Sequence, residues 1–204
     1  MNANSKVASK DRFRSFAELA ANRAAEIDYR ITVRHPQCTR TAIIAPHGGS
    51  IEHHTSSIST AIAGDDFGLY LFEGLDENGS FEDLHITSHR FDEPRCLDLI
   101  AACDIVVALH GYAGDGMQLL VGGLDQPLIA ALALALEPLD IDVRTEGHAF
   151  PGRHPGNVCN RGKLGRGVQI ELSDALRGSE FEPGIVEAIR TVLLNFELEP
   201  KQRR

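Results

Sequence analysis

The stretch that most constrains this chain is residues 41–55, TAIIAPHGGSIEHHT. Its β-branched and small apolar residues at 41–45 suit a buried strand, which is expected to stop at Pro46, a residue with no N–H to give a ladder. His47 follows at once, and Gly48 and Gly49 let the backbone turn without Cβ hindrance. Ser50 is placed to cap a helix on which Ile51, Thr55, Ile58 and Ile62 fall on one face. Strand, turn and helix in succession are the building unit of an α/β fold. The same unit sets a histidine at a strand end and a carboxylate, Glu52, five residues on. Those are two of the three protein ligands that a catalytic zinc commonly uses. On the helical wheel Glu52 lies within reach of a pocket at the helix start. His53 falls on the opposite, solvent side, and His54 flanks the stripe as the rival ligand.

The alternation of strand and helix patterns continues along the chain. Helices are expected at 16–25, from Pro94 to Cys103, from Pro127 to the Pro138 stop, and over the closing stripe Ile185, Ile189, Val192, Leu193 and Phe196. Strands are expected at 29–33, 68–73, 104–109, 118–122, 141–145 and 167–172. The acidic turn DENG (76–79) leads into residues 84–87. The run DIVVAL at 104–109 is apolar almost throughout, as a central strand covered on both faces must be. Residues 146–167 form the longest irregular segment, rich in Gly, Pro, His and Arg, and a loop of that length in a small domain is more often functional than not. With no repeat and no linker, the chain of 204 residues reads as one three-layer α/β/α domain over 13–198. A polar, flexible stretch, 1–12, precedes it and a flexible tail, 199–204, follows.

A formal charge of −9 argues against nucleic acid as a partner, since such binders carry a basic excess. The charge is uneven, however. Segment 64–93 holds nine acids against Arg90 alone, whereas 147–170 holds Arg153, Arg161, Lys163 and Arg166 with no acid. A polyanionic ligand suits that second segment. The four cysteines form no C-x-x-C pair, so reduced thiols and a reducing compartment are expected. The most apolar run, 127–136, is about half the length that spans a bilayer, and the first residues lack a signal peptide's apolar core. A cytoplasmic protein with no membrane partner is the expectation; oligomeric state is left open.

His47 and His110 share a context, each following an apolar strand and preceding glycine. Ligand sites of open α/β sheets lie at the carboxyl ends of strands, so the two histidines and Glu52 can converge on one zinc with its fourth position open for water. Plainer readings exist: Glu52 as a helix-start acid favoured by the macrodipole, each histidine as a loop residue bonded to backbone. Glu171, on an alternating strand, is either the wet face of that strand or a general base. Asn160 and Arg161 suit a substrate carboxylate, Arg161 bidentately, or simply decorate a loop. His85 and His89 bracket a strand end, and His148 or His154 touches substrate if it has a role. Ser50 lacks the G-x-S-x-G elbow of a serine nucleophile.

The motifs HGGSIEHHTSSI, ALHGYAG, NVCNRG and GVQIEL, in that order, resemble the poly-γ-glutamate hydrolase family, found in phages and in bacterial genomes with phage-like genes. The resemblance runs from about residue 16 to 195. It implies a zinc carboxypeptidase-like fold with a mixed, mainly parallel sheet and hydrolysis of γ-linked glutamyl amides. It implies zinc ligands His47, Glu52 and His110, with Glu171 as the catalytic glutamate. Zinc or Arg161 is expected to stabilise the oxyanion, and Arg161, with Asn160, Tyr112 and Arg153, to contact a polyanionic glutamyl substrate. Ordinary zinc carboxypeptidases use a tighter H-x-x-E, so the likeness to them is one of fold and chemistry. A cytoplasmic, phage-related enzyme would be released by lysis or act inside the cell. Two rivals stand beside this reading: a zinc amidase or carboxypeptidase acting on another peptide or cell-wall substrate, and a non-catalytic zinc-stabilised binding module.

Overall fold

Among the described residues seven strands make one sheet in the order β1-β3-β2-β4-β7-β5-β6. They are β1 (Tyr29–Arg34), β2 (Thr41–Gly49), β3 (Gly68–Gly74), β4 (Ile105–Tyr112), β5 (Gln118–Gly123), β6 (Asp142–Arg144) and β7 (Val168–Ser173). The structure is a computed structural model that describes residues 11–76 and 81–198. The first ten residues of the expected flexible stretch, most of the DENG turn and the tail from 199 on lie outside the described residues. The central strands β3, β2, β4 and β7 run parallel. Antiparallel β1 borders them on one side and antiparallel β5 on the other, with β6 parallel to β5. The sheet is therefore mixed and mainly parallel at its centre.

Among the described residues five α-helices, α1 (Phe16–Ala20), α2 (Thr55–Ala63), α3 (Pro94–Ala101), α4 (Gln126–Leu136) and α5 (Glu182–Leu198), cover the two faces. Period-two alternation along the central strands decides what each face buries. Ile43, Ala45, Val107, Leu109 and Ile170 pack with Ile58 and Ile62 of α2, Leu132 of α4 and Ile189 of α5. Ala42, Ile44, Val106 and Ala108 point the other way, onto Leu19, Phe91, Leu99, Ile100 and Val158. At about 2 kcal/mol for each fully buried aliphatic side chain, these two layers are the dominant favourable term in the fold. Among the described residues no helix is long and apolar enough to cross a membrane, and all four cysteines are free thiols.

Two local expectations fail in an instructive way. β2 does not stop at Pro46; it continues to Gly49, with Gly48 and Gly49 paired to Glu73 and Gly74 across an irregularity between Ala45 and Gly48. Proline is tolerated in a strand at such a bulge, where no ladder bond is demanded of it. The helix correspondingly starts at Thr55, not at Ser50, because the backbone is still following β3: the Ser50 N–H donates to the Gly74 carbonyl. Residues 50–54 form turns, and His54 ends them in the left-handed region at φ 69° with no side-chain cap. The other helices and strands match their expected positions to within a few residues, apart from α1, which ends at Ala20.

Candidate metal and hydrolytic site

The bulge in β2 builds the site. Within a regular strand His47 would share a face with Ile43 and Ala45 and be buried against α2. One extra residue between Ala45 and Gly48 reverses the alternation, so the His47 ring emerges on the other face, edge-on to Phe91 at 6.3 Å. His110 reaches that face by ordinary alternation from Val106 and Ala108. β2 and β4 are also where the strand order turns back, since β3 lies beyond β2 on one side and β7 beyond β4 on the other. Such a switch point, at the carboxyl ends of the strands, is where open α/β sheets hold ligands.

Glu52 arrives by the turn after β2, its N–H bonded to the His47 carbonyl at 2.9 Å. The His47 Nδ1 lies 3.1 Å from Glu52 Oε1 and 3.1 Å from His110 Nδ1, and His110 Nδ1 is 3.6 Å from Glu52 Oε2. All three residues are buried. Their outer atoms are anchored: His47 Nε2–H donates to the Ile86 carbonyl at 2.9 Å, and the Gly111 N–H donates to Glu52 Oε2 at 2.9 Å. A carbonyl only accepts, so the proton of neutral His47 sits on Nε2 and its Nδ1 lone pair faces the other donors. Two imidazole nitrogens and a carboxylate turned toward one another repel unless a proton or a cation lies among them. Two imidazoles and a carboxylate with their outer atoms anchored are a donor set that could hold a metal ion.

Electrostatics point the same way. Burial opposes charging of His47, but the Glu52 carboxylate and the Ile86 carbonyl more than offset it and hold the ring above the ordinary imidazole value. Burial would likewise raise Glu52, yet the two histidines hold it well below the usual carboxylate range. His110 is lowered, burial being the largest cause. In the metal-free protein a proton on His47 thus takes the place a cation would fill, and metal uptake must expel it. Metal affinity is therefore expected to fall as pH drops through the raised His47 value, with one proton released per ion bound below that value. Competition titrations across pH 5.5–8 check this, and an affinity flat over that range would count against the triad.

Glu171 stands opposite His110 in the β4–β7 register and is buried on the same face. Burial pushes its carboxyl well above the usual value, and the nearby Glu52 charge adds to the shift. Gln169 donates to Glu171 Oε1 at 2.8 Å, and Asn157 donates to Gln169 Oε1 at 2.7 Å. The wet-face reading of β7 therefore fails: Gln169, Glu171 and Ser173 are all buried. Gln169 was within reach of the sequence, two residues before Glu171 on one strand face; Asn157 gave no such signal.

The remaining expected residues fare unevenly. The Asn160 amide is engaged with the backbone around it. Its Oδ1 accepts from Leu124 and Gly167 N–H groups, and its Nδ2 donates to the Gly152 and His154 carbonyls. All four capacities of a primary amide are consumed, and the residue is buried at 2% exposure. It pins the 146–167 loop to the sheet. Asn160→Ala is accordingly expected to lower stability by about 2–3 kcal/mol, read as a shifted denaturant midpoint. Arg161 turns its guanidinium to the Phe91 carbonyl at 2.9 Å. Tyr112 donates to Gln118 Oε1 at 2.6 Å and tilts against Phe150. Arg153 is exposed and lies 3.9 Å from Glu146.

The basic segment is also less free than its sequence implies, since Lys163 lies 3.7 Å from Asp104 and Arg166 3.2 Å from Asp125. His148 approaches the Val121 carbonyl and His154 the His89 ring. His53 is exposed. His54 packs against Gly178 and lines an open surface depression with Ser57 and Thr60, outside the donor cluster.

A residue without strong sequence signal does join that cluster. One donor atom each of His47, Glu52 and His85 lie within 4.8 Å of one another. Two donor sets therefore share His47 and Glu52, one closed by His110 and one by His85. The His110 set has contacts of 3.1, 3.1 and 3.6 Å and both of its histidines at central strand ends.

The family model of poly-gamma-glutamate hydrolases matches residues 13–192. The SPbeta prophage-derived protein YoqZ of Bacillus subtilis is 35% identical over 88% of this chain, which spans 65% of the length of YoqZ. YndL of the same organism is 35% identical over 87% of the chain and 69% of its own length. Among solved structures, a bacteriophage poly-gamma-glutamate hydrolase superposes with a TM-score of 0.86 at 27% identity, covering 91% of this chain and 98% of that one. A zinc-free apo form of YndL gives 0.82 at 31% identity, covering 92% and 100%. The fold is thus the zinc carboxypeptidase-like one expected.

Proposed function

Because the chain belongs to the poly-gamma-glutamate hydrolase family, we propose that it is a zinc-dependent hydrolase cleaving the γ-glutamyl amide bonds of poly-γ-glutamate. The observation that carries this reading is the convergence of His47, Glu52 and His110 on one point, with buried Glu171 in register beside His110. A zinc-free form of the similar protein YndL supports zinc as the metal.

His47 Nδ1, Glu52 and His110 Nδ1 would hold the zinc, leaving a position open. When bound, zinc lowers the pKa of water and polarises a carbonyl toward attack. Glu171 then takes the proton of the attacking water and passes it to the leaving amine nitrogen. Burial, with the Glu52 charge adding to it, raises its carboxyl well above the usual value, the direction that favours holding a proton between the two steps. Gln169 occupies Oε1 of Glu171 and so leaves Oε2 to carry the proton. Asn157 fixes Gln169 in turn, making these two positioning residues.

Each unit of poly-γ-glutamate bears a free carboxylate that needs a cationic partner. In our reading Arg161 and Arg153 remain the candidates for that contact, along with Tyr112 at the end of β4. Incubating the purified protein with poly-γ-glutamate, with and without chelator, and following polymer size tests the proposal. Polymer shortening that the chelator stops and zinc restores is expected. Intact polymer beside a zinc-loaded protein would leave the binding-module or other-amidase reading in its place.

A further inference from the structure

Two loops meet beside the site and carry a pair of histidines that the hydrolytic chemistry leaves unused. The first, residues 87–90, places the Ser88 hydroxyl 3.4 Å from His110 Nε2. The second, 152–157, brings Asn157 to Gln169, which in turn bonds Glu171. The Val158 N–H donates to the Ser88 carbonyl at 2.9 Å and joins the two loops. At this junction the rings of His89 and His154 lie against one another, with centroids 5.2 Å apart and planes tilted by 45°. Both residues are exposed, yet the backbone under His154 is well held. Its carbonyl accepts from the Asn157 N–H at 2.9 Å and from Asn160 Nδ2 at 3.0 Å. The Gly156 N–H donates to His154 Nδ1 at 2.9 Å. That nitrogen is therefore an acceptor and the hydrogen of the ring sits on Nε2. This N–H has no hydrogen-bond partner among the described residues.

A donor fixed in place, with a second imidazole at its side that can take up a proton, suits a carboxylate. The neutral ring supplies one hydrogen bond and the protonated ring a charge-assisted one. We propose that His89 and His154 form a carboxylate subsite beside the hydrolytic centre, which receives a free carboxylate of the γ-glutamyl chain next to the bond being cleaved. The inference rests on the hydrolase reading of this site. It makes the grip on substrate depend on pH, as an arginine contact would not. Partial burial, then His154 and Arg90, hold the His89 ring below the ordinary imidazole value, against an upward pull from Asp11. Asp11 is already engaged with the Arg90 guanidinium at 2.7 Å. A carboxylate bound to the pair raises the His89 value. Binding then takes up a proton: it is strongest below the free value of that ring and weakens as pH rises through it.

Histidine-ring NMR of the full chain reads this directly, with His89→Gln and His154→Gln assigning the two signals. Glu171→Gln, in zinc, serves as the protein so that a short γ-glutamyl oligomer persists. The oligomer is expected to move both signals and to raise the pH at which His89 titrates. The same oligomer with every carboxylate methyl-esterified is expected to move neither. Signals that ignore the free oligomer, or answer both forms alike, would overturn the subsite whether or not the chain hydrolyses anything. Steady-state kinetics with zinc in excess give a second test. The wild-type KM for poly-γ-glutamate is expected to rise about tenfold between pH 6 and pH 8. His89→Gln, shown to be folded by circular dichroism, is expected to lose most of that rise by having a higher KM at pH 6, with a smaller effect on kcat. A variant KM that follows the wild type at both pH values would overturn the subsite and leave the hydrolase reading standing. A wild-type chain that cleaves nothing would overturn the hydrolase reading, and the ring signals alone would then decide the subsite.

Discussion

Replacing Glu171 with glutamine is expected to cost about 10²- to 10⁴-fold in hydrolysis of poly-γ-glutamate while leaving one zinc bound per chain. The amide keeps the shape of the carboxyl and its Oε1 still accepts from Gln169, so the surroundings need not move; only the proton carrier is lost. The same substitution is expected to stabilise the metal-free protein. Glu171 has a folded pKa raised by burial and by Glu52, so at pH 7 the fold either buries a charge or holds a proton the unfolded chain would release. For such a raised carboxyl, stability is highest below the unfolded value near 4.5 and is lost as pH rises through the folded value. Glutamine has no charge to bury. A gain on the order of 1 kcal/mol at pH 7 is expected, shrinking toward zero near pH 4, from denaturant midpoints at the two pH values. Full activity in Glu171→Gln would remove Glu171 from the chemistry; lost activity with lost zinc would make it a ligand instead.

The second large effect concerns the metal itself. His47→Ala is expected to abolish stoichiometric zinc and with it chelator-sensitive hydrolysis, since His47 is the one residue common to both donor sets whose ring nitrogen contacts both Glu52 and His110. It also empties a buried site beside Phe91 and His85, a cavity costing about 2–4 kcal/mol. Glu52→Gln separates the two consequences. It conserves volume and retains an acceptor for the Gly111 N–H, but it removes the charge that favours a cation. Loss of zinc in a folded Glu52→Gln protein is the expected outcome, measured by metal content after dialysis. Unchanged zinc in either variant would show that the ligands lie elsewhere.

Much of this protein was legible before folding was considered. The period-two and period-3.6 patterns placed nearly every strand and helix, because a residue's solvent exposure follows its geometry along the element. His47, Glu52, His110 and Glu171 stood out because catalytic ligands gather at strand ends, and the structure draws the first three within contact distance and sets Glu171 beside them. What the sequence left out was chemistry that depends on partners. Asn160 looked like a substrate clamp by residue type, yet its four hydrogen bonds go to the backbone of its own loop and of the β5–α4 connection. The basic segment looked free until Asp104 and Asp125 came to meet Lys163 and Arg166. Ser50 looked like a helix cap until the β2–β3 ladder carried the backbone past it.

The sequence by itself determined the layers, the parallel centre of the sheet and the two histidine-bearing strand ends, because these follow from local periodicity and from short turns. Tertiary structure alone decided which face His47 meets. A bulge of one residue, set by pairing with β3, turns the ring away from α2 and onto His110, and no local pattern encodes that register. It alone brought Asp11, from before the first helix, to His85 and so to the site, more than seventy residues away along the chain. Contacts of that range are chosen by the packing of the whole core, where only one arrangement buries the apolar faces and leaves the three donors facing each other.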